Sequence, residues 1–271
     1  MIKKSASITL QYDSCFSPFY ANEFDKGIEW VRNCGFEGVE LIICKPKEVK
    51  INKLNAMLER LNLKVSTIAT GQAAVLEGIS LTEDDESLRA EAVKRIHEHI
   101  DLSVEIGYPN VTIGLIRGKG DILKIKNKLK LLKQEILKCI EYAYTKGVMI
   151  NLEPINRYEV LLLNSCLETY NFIMEIGNPE CVGILFDTFH SNIEDADFFD
   201  SIIKMKGMIS HVHFADSNRH LPGSGHIDFV GIIKTLEESS YNGYVSLEVL
   251  NLPNRETVIK EAATSLKKLF G

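Results

Sequence analysis

Eight short runs rich in β-branched and aliphatic residues recur along the chain, separated by longer stretches with helical spacing. The runs are Ala6–Tyr12, Gly38–Cys44, Lys64–Thr70, Asn110–Ile116, Val148–Pro154, Val182–Asp187, Ile209–Asp216 and Tyr244–Leu250. Between two of them, Ser87–Gly107 sets Leu88, Ala92, Val93, Ile96, Ile100 and Val104 on one helical face, and Gly107 supplies the stop. Glycines stand just ahead of later strands in CGFEGVEL, IGYPNVTI, KGVMINL and NGYVSLEV. Each is expected in the left-handed conformation that ends a helix. Eight β-then-α units in 271 residues predict an α/β fold, a single (β/α)8 TIM barrel. A doubly wound sheet is the rival, but its Gly-rich first turn is missing, since the first strand runs into QYDSCFSPFY. No linker or composition break appears, so residues 1–271 read as one domain.

A barrel places its chemistry where the strands end. Four strands end in ligand-type residues: NLEP (Glu153), LFDTFH (Asp187, then His190), HVHFAD (His211, His213) and SLEVL (Glu248). Alternation along a strand decides which of these face the interior. With Ile150, Leu152, Ile184, Phe186, Val212, Phe214, Val245, Leu247 and Val249 turned towards the helices, Glu153, Asp187, His211, His213 and Glu248 turn inward.

Three carboxylates and one imidazole at a barrel mouth form a mainly oxygen site. Such a donor set suits Mn2+, Mg2+ or Co2+ better than a thiolate-loving structural Zn2+, with Zn2+ still accommodated. Without a cation, the converging carboxylates would repel one another and their pKa values would rise. His213 lies one layer nearer the mouth than His211, so His213 is the expected ligand and His211 a neighbour or packed interior residue.

These segments also carry a resemblance. NLEPINRYE, LFDTFHSNIEDAD, HVHFADSNRHLPGSGHIDF and YVSLEVL resemble the metal-binding strands of the xylose isomerase-like TIM barrels, in the sugar phosphate isomerase/epimerase superfamily. The ketose 3-epimerases of the tagatose/psicose type are the nearest branch. The likeness runs the length of the chain and is sharpest from Asn151 to Leu250. It implies that Glu153, Asp187, His213 and Glu248 bind Mn2+, and that Glu159, His190 and Arg219 hold the substrate. It also implies a homodimer or homotetramer.

Epimerising a carbon beside a ketone requires removing a proton from one face and returning one to the other. A divalent ion acting as a Lewis acid stabilises the enediolate between these steps. As the resemblance implies, Glu153 and Glu248 would serve as base and acid, while His190 and Arg219 would donate to the developing oxyanion. The expected substrate is a sugar or sugar phosphate. An aldose–ketose, hydroxypyruvate or inosose-type isomerase or dehydratase would use the same site. A non-catalytic sugar-binding barrel is a further alternative, against which both acid/base glutamates weigh.

An apurinic endonuclease of the same barrel type would need histidines after strands three and four, where IATGQAAVLEG and TIGLIRGKG have none. A net charge of −6 also gives no general attraction to nucleic acid. No apolar run approaches about 18 residues, so no membrane span is expected. MIKKSASITL lacks the apolar core of a signal peptide. Six cysteines without a CxxC pair read as reduced thiols, several of them buried. Together these features predict a cytoplasmic protein.

Several residues stay open. Arg117 and Lys119, after strand four, are either phosphate or carboxylate binders at the mouth or surface charges. Phe16, Phe19 and Tyr20 either wall the pocket or pack on the first helix. His220 and His226 read as loop residues, and His97 and His99 as residues of a helix surface.

Overall fold

In a computed structural model, which describes residues 1–270, the chain closes into a parallel eight-stranded barrel with strands in sequence order. The strands are β1 (Lys3–Thr9), β2 (Gly38–Ile42), β3 (Lys64–Ala69), β4 (Asn110–Ile113), β5 (Ile150–Leu152), β6 (Val182–Asp187), β7 (Ile209–Phe214) and β8 (Tyr244–Leu247). The helices are α1 (Phe24–Asn33), α2 (Ile51–Leu61), α3 (Gly71–Glu77), α4 (Glu86–Glu105), α5 (Ile125–Lys146), α6 (Cys166–Glu175), α7 (Thr188–Glu194), α8 (Phe198–Lys204), α9 (Phe229–Glu238) and α10 (Arg255–Phe270).

Two chemically distinct interiors result. Outward strand residues such as Val39, Leu41, Ile113, Ile150, Ile184, Phe186, Val212, Phe214 and Val245 are buried. Burying one such side chain contributes about 1.5–3 kcal/mol relative to leaving it in water. The bore is polar instead. Ser5 and Ser66 share a hydrogen bond of 2.8 Å, as do Thr67 and Thr112, and Asn151 donates to Thr112 across 3.1 Å.

Two register shifts enrich the bore. β2 pairs Val39 with Val65 but Glu40 with Thr67, leaving Ser66 as the additional residue. β6 pairs Ile184 with Ile209 but Leu185 with His211, leaving Ser210. A bulge of this kind breaks the strict alternation of faces. Ser66 and Thr67 thus both reach bore partners, and Ser210 donates to Asn151 across 2.6 Å.

Most strands stop short of the apolar runs that announced them, because the ladder ends where the mouth opens. Beyond Ile113, the run expected to continue to Ile116 becomes a 3-10 turn at Leu115–Arg117. β1 lies earlier than expected: Lys3 pairs with Tyr244, while Gln11 leaves the strand to accept from the backbone N–H groups of Cys44 and Lys45. Gly35, Gly107 and Gly147 are left-handed as anticipated. Gly243 is not; after α9 it is Ser240 that takes this conformation, at φ 65°. His99 is also not a surface residue. It is fully buried, its two ring nitrogens facing the carbonyls of Arg95 and Ile43.

Candidate metal centre

The mouth of the barrel gathers four ligand-type side chains. One donor atom from each of Glu153, Asp187, His213 and Glu248 lies within 4.8 Å of all the others. His213 Nδ1 is 3.6 Å from Glu153 Oε1, 3.5 Å from Asp187 Oδ2 and 3.5 Å from Glu248 Oε2. None of the three is a hydrogen bond, and they leave space between the donors. Asp187 Oδ2 and His213 Nδ1 are both buried without a hydrogen-bond partner. Orphaned buried polar atoms are costly and rare. A divalent cation would satisfy both at once, so the residues present fit one.

Local structure explains the aim of each group. Glu153 and Glu248 stand one residue past their strands. Their backbone N–H groups still donate to Ile113 and Phe214, each across 3.3 Å, which ties them to the neighbouring strand. Asp187 caps α7: its Oδ1 accepts from the N–H groups of Phe189 and His190, at 2.7 and 3.1 Å. That capping bond fixes the carboxylate and leaves Oδ2 to point at His213. Gly114 stands against Glu153, and a Cβ there would collide with Glu153 Oε2.

The electrostatics follow from crowding. Burial raises the pKa of Glu153, and the nearby Glu248 adds to this against the pull of His213. Burial works in the same direction on Asp187, but His190, His213 and Arg219 outweigh it and hold this carboxyl well below the usual range. For His213 burial acts downward, yet Glu40, Glu248, Asp187 and Glu153 carry its pKa well above the ordinary value.

Glu40 was not anticipated. It lies on β2, fully buried, and accepts from His213 Nε2 at 3.0 Å and His211 Nε2 at 3.2 Å. A signal existed in GVELI, where a lone carboxylate stands between Val39 and Leu41 with inward parity. His211, expected near the site, is buried one layer below and also lies 2.9 Å from Ser246 Oγ.

Glu159, His190 and Arg219 surround the quartet. Arg219 pairs with Glu159 at 2.9 Å and with Glu248 at 3.1 Å. Its guanidinium is stacked between Phe16 and Phe189, 4.5 and 4.6 Å from the ring centroids. Its backbone is left-handed at φ 60°, held by a hydrogen bond from Leu250 N–H to its carbonyl. Asn156, also unanticipated, donates from one amide nitrogen to His190 Nδ1 and to Glu159 Oε1, at 2.8 and 2.9 Å. Its Oδ1 accepts from Tyr158 N–H, which fixes the orientation of the amide. His190 Nδ1 is therefore an acceptor, and a neutral ring carries its proton on Nε2. That nitrogen lies 3.9 Å from Glu153 Oε1 and from Asp187 Oδ2.

Neither alternative for Arg117 survives. The side chain is fully buried and donates only to carbonyls, those of Leu162, Leu163, Gly114 and Glu153. Burial lowers its pKa to about 10. Lys119 is exposed and away from the cavity. The loop aromatics divide: Phe16 lines the cavity, Phe19 packs on Trp30 of α1, and Tyr20 stacks on Arg255. Cys15 is exposed and lines the same cavity, whereas Cys44, Cys139 and Cys166 are buried. His226 is an exposed loop residue and His220 a half-buried one.

The cavity measures about 250 Å³. One wall carries Glu153, His213, Glu248, His190, Glu159 and Arg219; Ile42, Ala69, Leu76, Leu115 and Ile155 are among its apolar lining. A larger hollow of about 570 Å³ between α5 and α6 gathers surface lysines and no converging acids. No helix among the described residues is long and apolar enough to cross a membrane.

Residues 28–269 match the profile of the xylose isomerase-like TIM barrel family. An L-ribulose 3-epimerase of Mesorhizobium japonicum is 30% identical over 229 residues, 84% of this chain and 75% of that protein. A 3-dehydro-D-guloside 4-epimerase of Escherichia coli is 25% identical over 85% of this chain and 88% of its own length. The solved structure of an L-ribulose 3-epimerase superposes with a TM-score of 0.80 at 26% identity, covering 98% of this chain and 86% of that one.

Proposed function

Since the chain belongs to the xylose isomerase-like TIM barrel family, we propose that it is a divalent-metal-dependent carbohydrate epimerase that inverts an unphosphorylated ketose at C3. One observation carries the reading: three carboxylates converge on the orphaned Nδ1 of a buried histidine, and one of them, Asp187, also holds an orphaned oxygen. Glu153, Asp187, His213 and Glu248 would hold the cation, with Mn2+ the best match to their donor set. When bound, the ion supplies Lewis-acid polarisation of a carbonyl and its neighbouring hydroxyl.

The protein's own groups do the rest. Glu153 and Glu248, from non-neighbouring strands, remove a proton from one face of the carbon beside the ketone and return one to the other. His190 presents Nε2–H, and Arg219 its guanidinium, to the oxygen on which negative charge develops. Glu159 holds Arg219 and, through Asn156, the ring of His190. Both curated relatives are named for inversion at a single sugar carbon, at C3 in one and C4 in the other.

The charge of the cavity favours a neutral sugar over a sugar phosphate. Among the described residues, Arg219 is the only Arg or Lys lining it, and it is already paired with Glu159 and Glu248. A phosphate dianion would face Asp13, Glu153, Glu159 and Glu248, against one guanidinium whose charge two of these already offset.

The test is a panel of ketoses and ketose phosphates in deuterated water with Mn2+, followed by NMR. Deuterium at C3 of a free ketose is expected. Exchange confined to C1 would make the protein an aldose–ketose isomerase, and turnover restricted to phosphates would refute the neutral-sugar assignment. Tight sugar binding without any exchange would identify a non-catalytic barrel.

A further inference from the structure

Two histidines of β7 meet one carboxylate of β2 in the middle of the bore. Glu40 Oε2 lies 3.0 Å from His213 Nε2 and 3.2 Å from His211 Nε2, and all three residues are at most 1% exposed. Glu40 Oε1 is 3.1 Å from the same nitrogen of His213. An ionised carboxylate accepts and cannot donate. Each imidazole Nε2 that faces it must therefore carry a proton. In a neutral His213 the lone pair then sits on Nδ1, the atom aimed at Glu153, Asp187 and Glu248.

From this geometry we infer that Glu40 is a positioning residue for the metal centre: it selects the Nε2–H form of His213, so that Nδ1 is free to ligate. The inference rests on the metal-centre reading above. His211 shares the carboxylate and holds it in place. Its Nε2 is also 2.9 Å from Ser246 Oγ, which anchors the pair to β8. A ligating histidine commonly donates its other nitrogen to a carboxylate, and losing that partner weakens metal binding by about 10–100-fold. Here the partner comes from the far side of the barrel and also holds a second imidazole, so two strands are fixed around one ligand.

Glu40→Gln is the first test, because the amide keeps the size of the side chain but presents both donor and acceptor atoms. Mn2+ affinity is measured by calorimetry for wild type, Glu40→Gln and Glu40→Asp, with thermal unfolding recorded in parallel. A folded Glu40→Gln protein is expected to bind Mn2+ about 10–100-fold more weakly, with partial recovery in Glu40→Asp. Equal affinity in wild type and Glu40→Gln would overturn the inference while leaving the metal centre intact. A wild type that binds no divalent ion would overturn the metal-centre reading and this inference with it. The second test needs no variant. Nitrogen NMR of labelled histidine in Zn2+-loaded wild type should show His213 protonated at Nε2 and not at Nδ1, and the opposite pattern would refute the role of Glu40.

Discussion

The amide nitrogen of Asn156 lies 2.8 Å from Nδ1 of His190, and through that bond a loop residue decides which face of the imidazole carries hydrogen. In Asn156→Asp the new carboxylate could only accept, so His190 would move its proton to Nδ1 and lose the donor on Nε2. The same carboxylate would stand against Glu159. We expect kcat to fall by about 10²-fold or more, the scale of a lost oxyanion donor, with a smaller change in KM. Steady-state kinetics of Asn156→Asp beside Asn156→Gln would check this; an unchanged kcat in both would remove Asn156 from the site.

Gly114 gives a steric prediction. Because a Cβ at this position collides with Glu153 Oε2, Gly114→Ala should displace that carboxylate without altering any titratable group. A misplacement of about 1 Å can cost 10²-fold in rate. Activity should drop on this scale while the thermal midpoint moves little, and full activity in the alanine variant would show that Glu153 needs no exact seat.

Proton release should accompany metal uptake. The pKa of Glu153 is raised by burial, and that of His213 is raised by its ring of carboxylates against the effect of burial. Both groups must lose protons before they can ligate, so Mn2+ affinity should rise with pH. The sign for stability is also defined. A raised folded pKa contributes stability below the unfolded value, near 6.5 for histidine, and this is lost as pH climbs through the folded value. The metal-free fold should therefore weaken on the alkaline side, whereas the loaded protein should not follow. Calorimetric titrations in two buffers of different ionisation enthalpy would detect the released protons, and buffer-independent heats would contradict it.

Arg117 predicts a stability effect, not a loss of substrate affinity. Its side chain satisfies buried carbonyls of Gly114, Leu162, Leu163 and Glu153. Arg117→Met would leave several of these unpaired, at about 1–3 kcal/mol each. A loss of roughly 3 kcal/mol or more is expected in denaturant unfolding, and a wild-type midpoint would disprove it.

The alternation of strand and helix periods makes the barrel legible, and parity alone turns Glu153, Asp187, His213 and Glu248 inward. Parity works because each strand has one apolar face and one that is not. It says nothing of neighbours across the bore, which is why Glu40 escaped notice although its own strand marked it as odd. Asn156 escaped for a different reason: a loop amide acquires its role only when α7 brings His190 beside it. Arg117 stays open in the sequence because a cation after a barrel strand can point to the mouth or to solvent, and only the fold brings up the carbonyls of Leu162 and Leu163 that turn it inward instead.

The row of hydrogen-bonding groups along the bore has a bearing on engineering. From His213 through Glu40, His211 and Ser246 to Ser66 and Ser5, successive partners lie no more than 3.5 Å apart. A library that fills this channel with aliphatic side chains would disturb the quartet at the mouth from below. Stabilising changes belong on the helical shell, where the aliphatic layer can be repacked without touching that row.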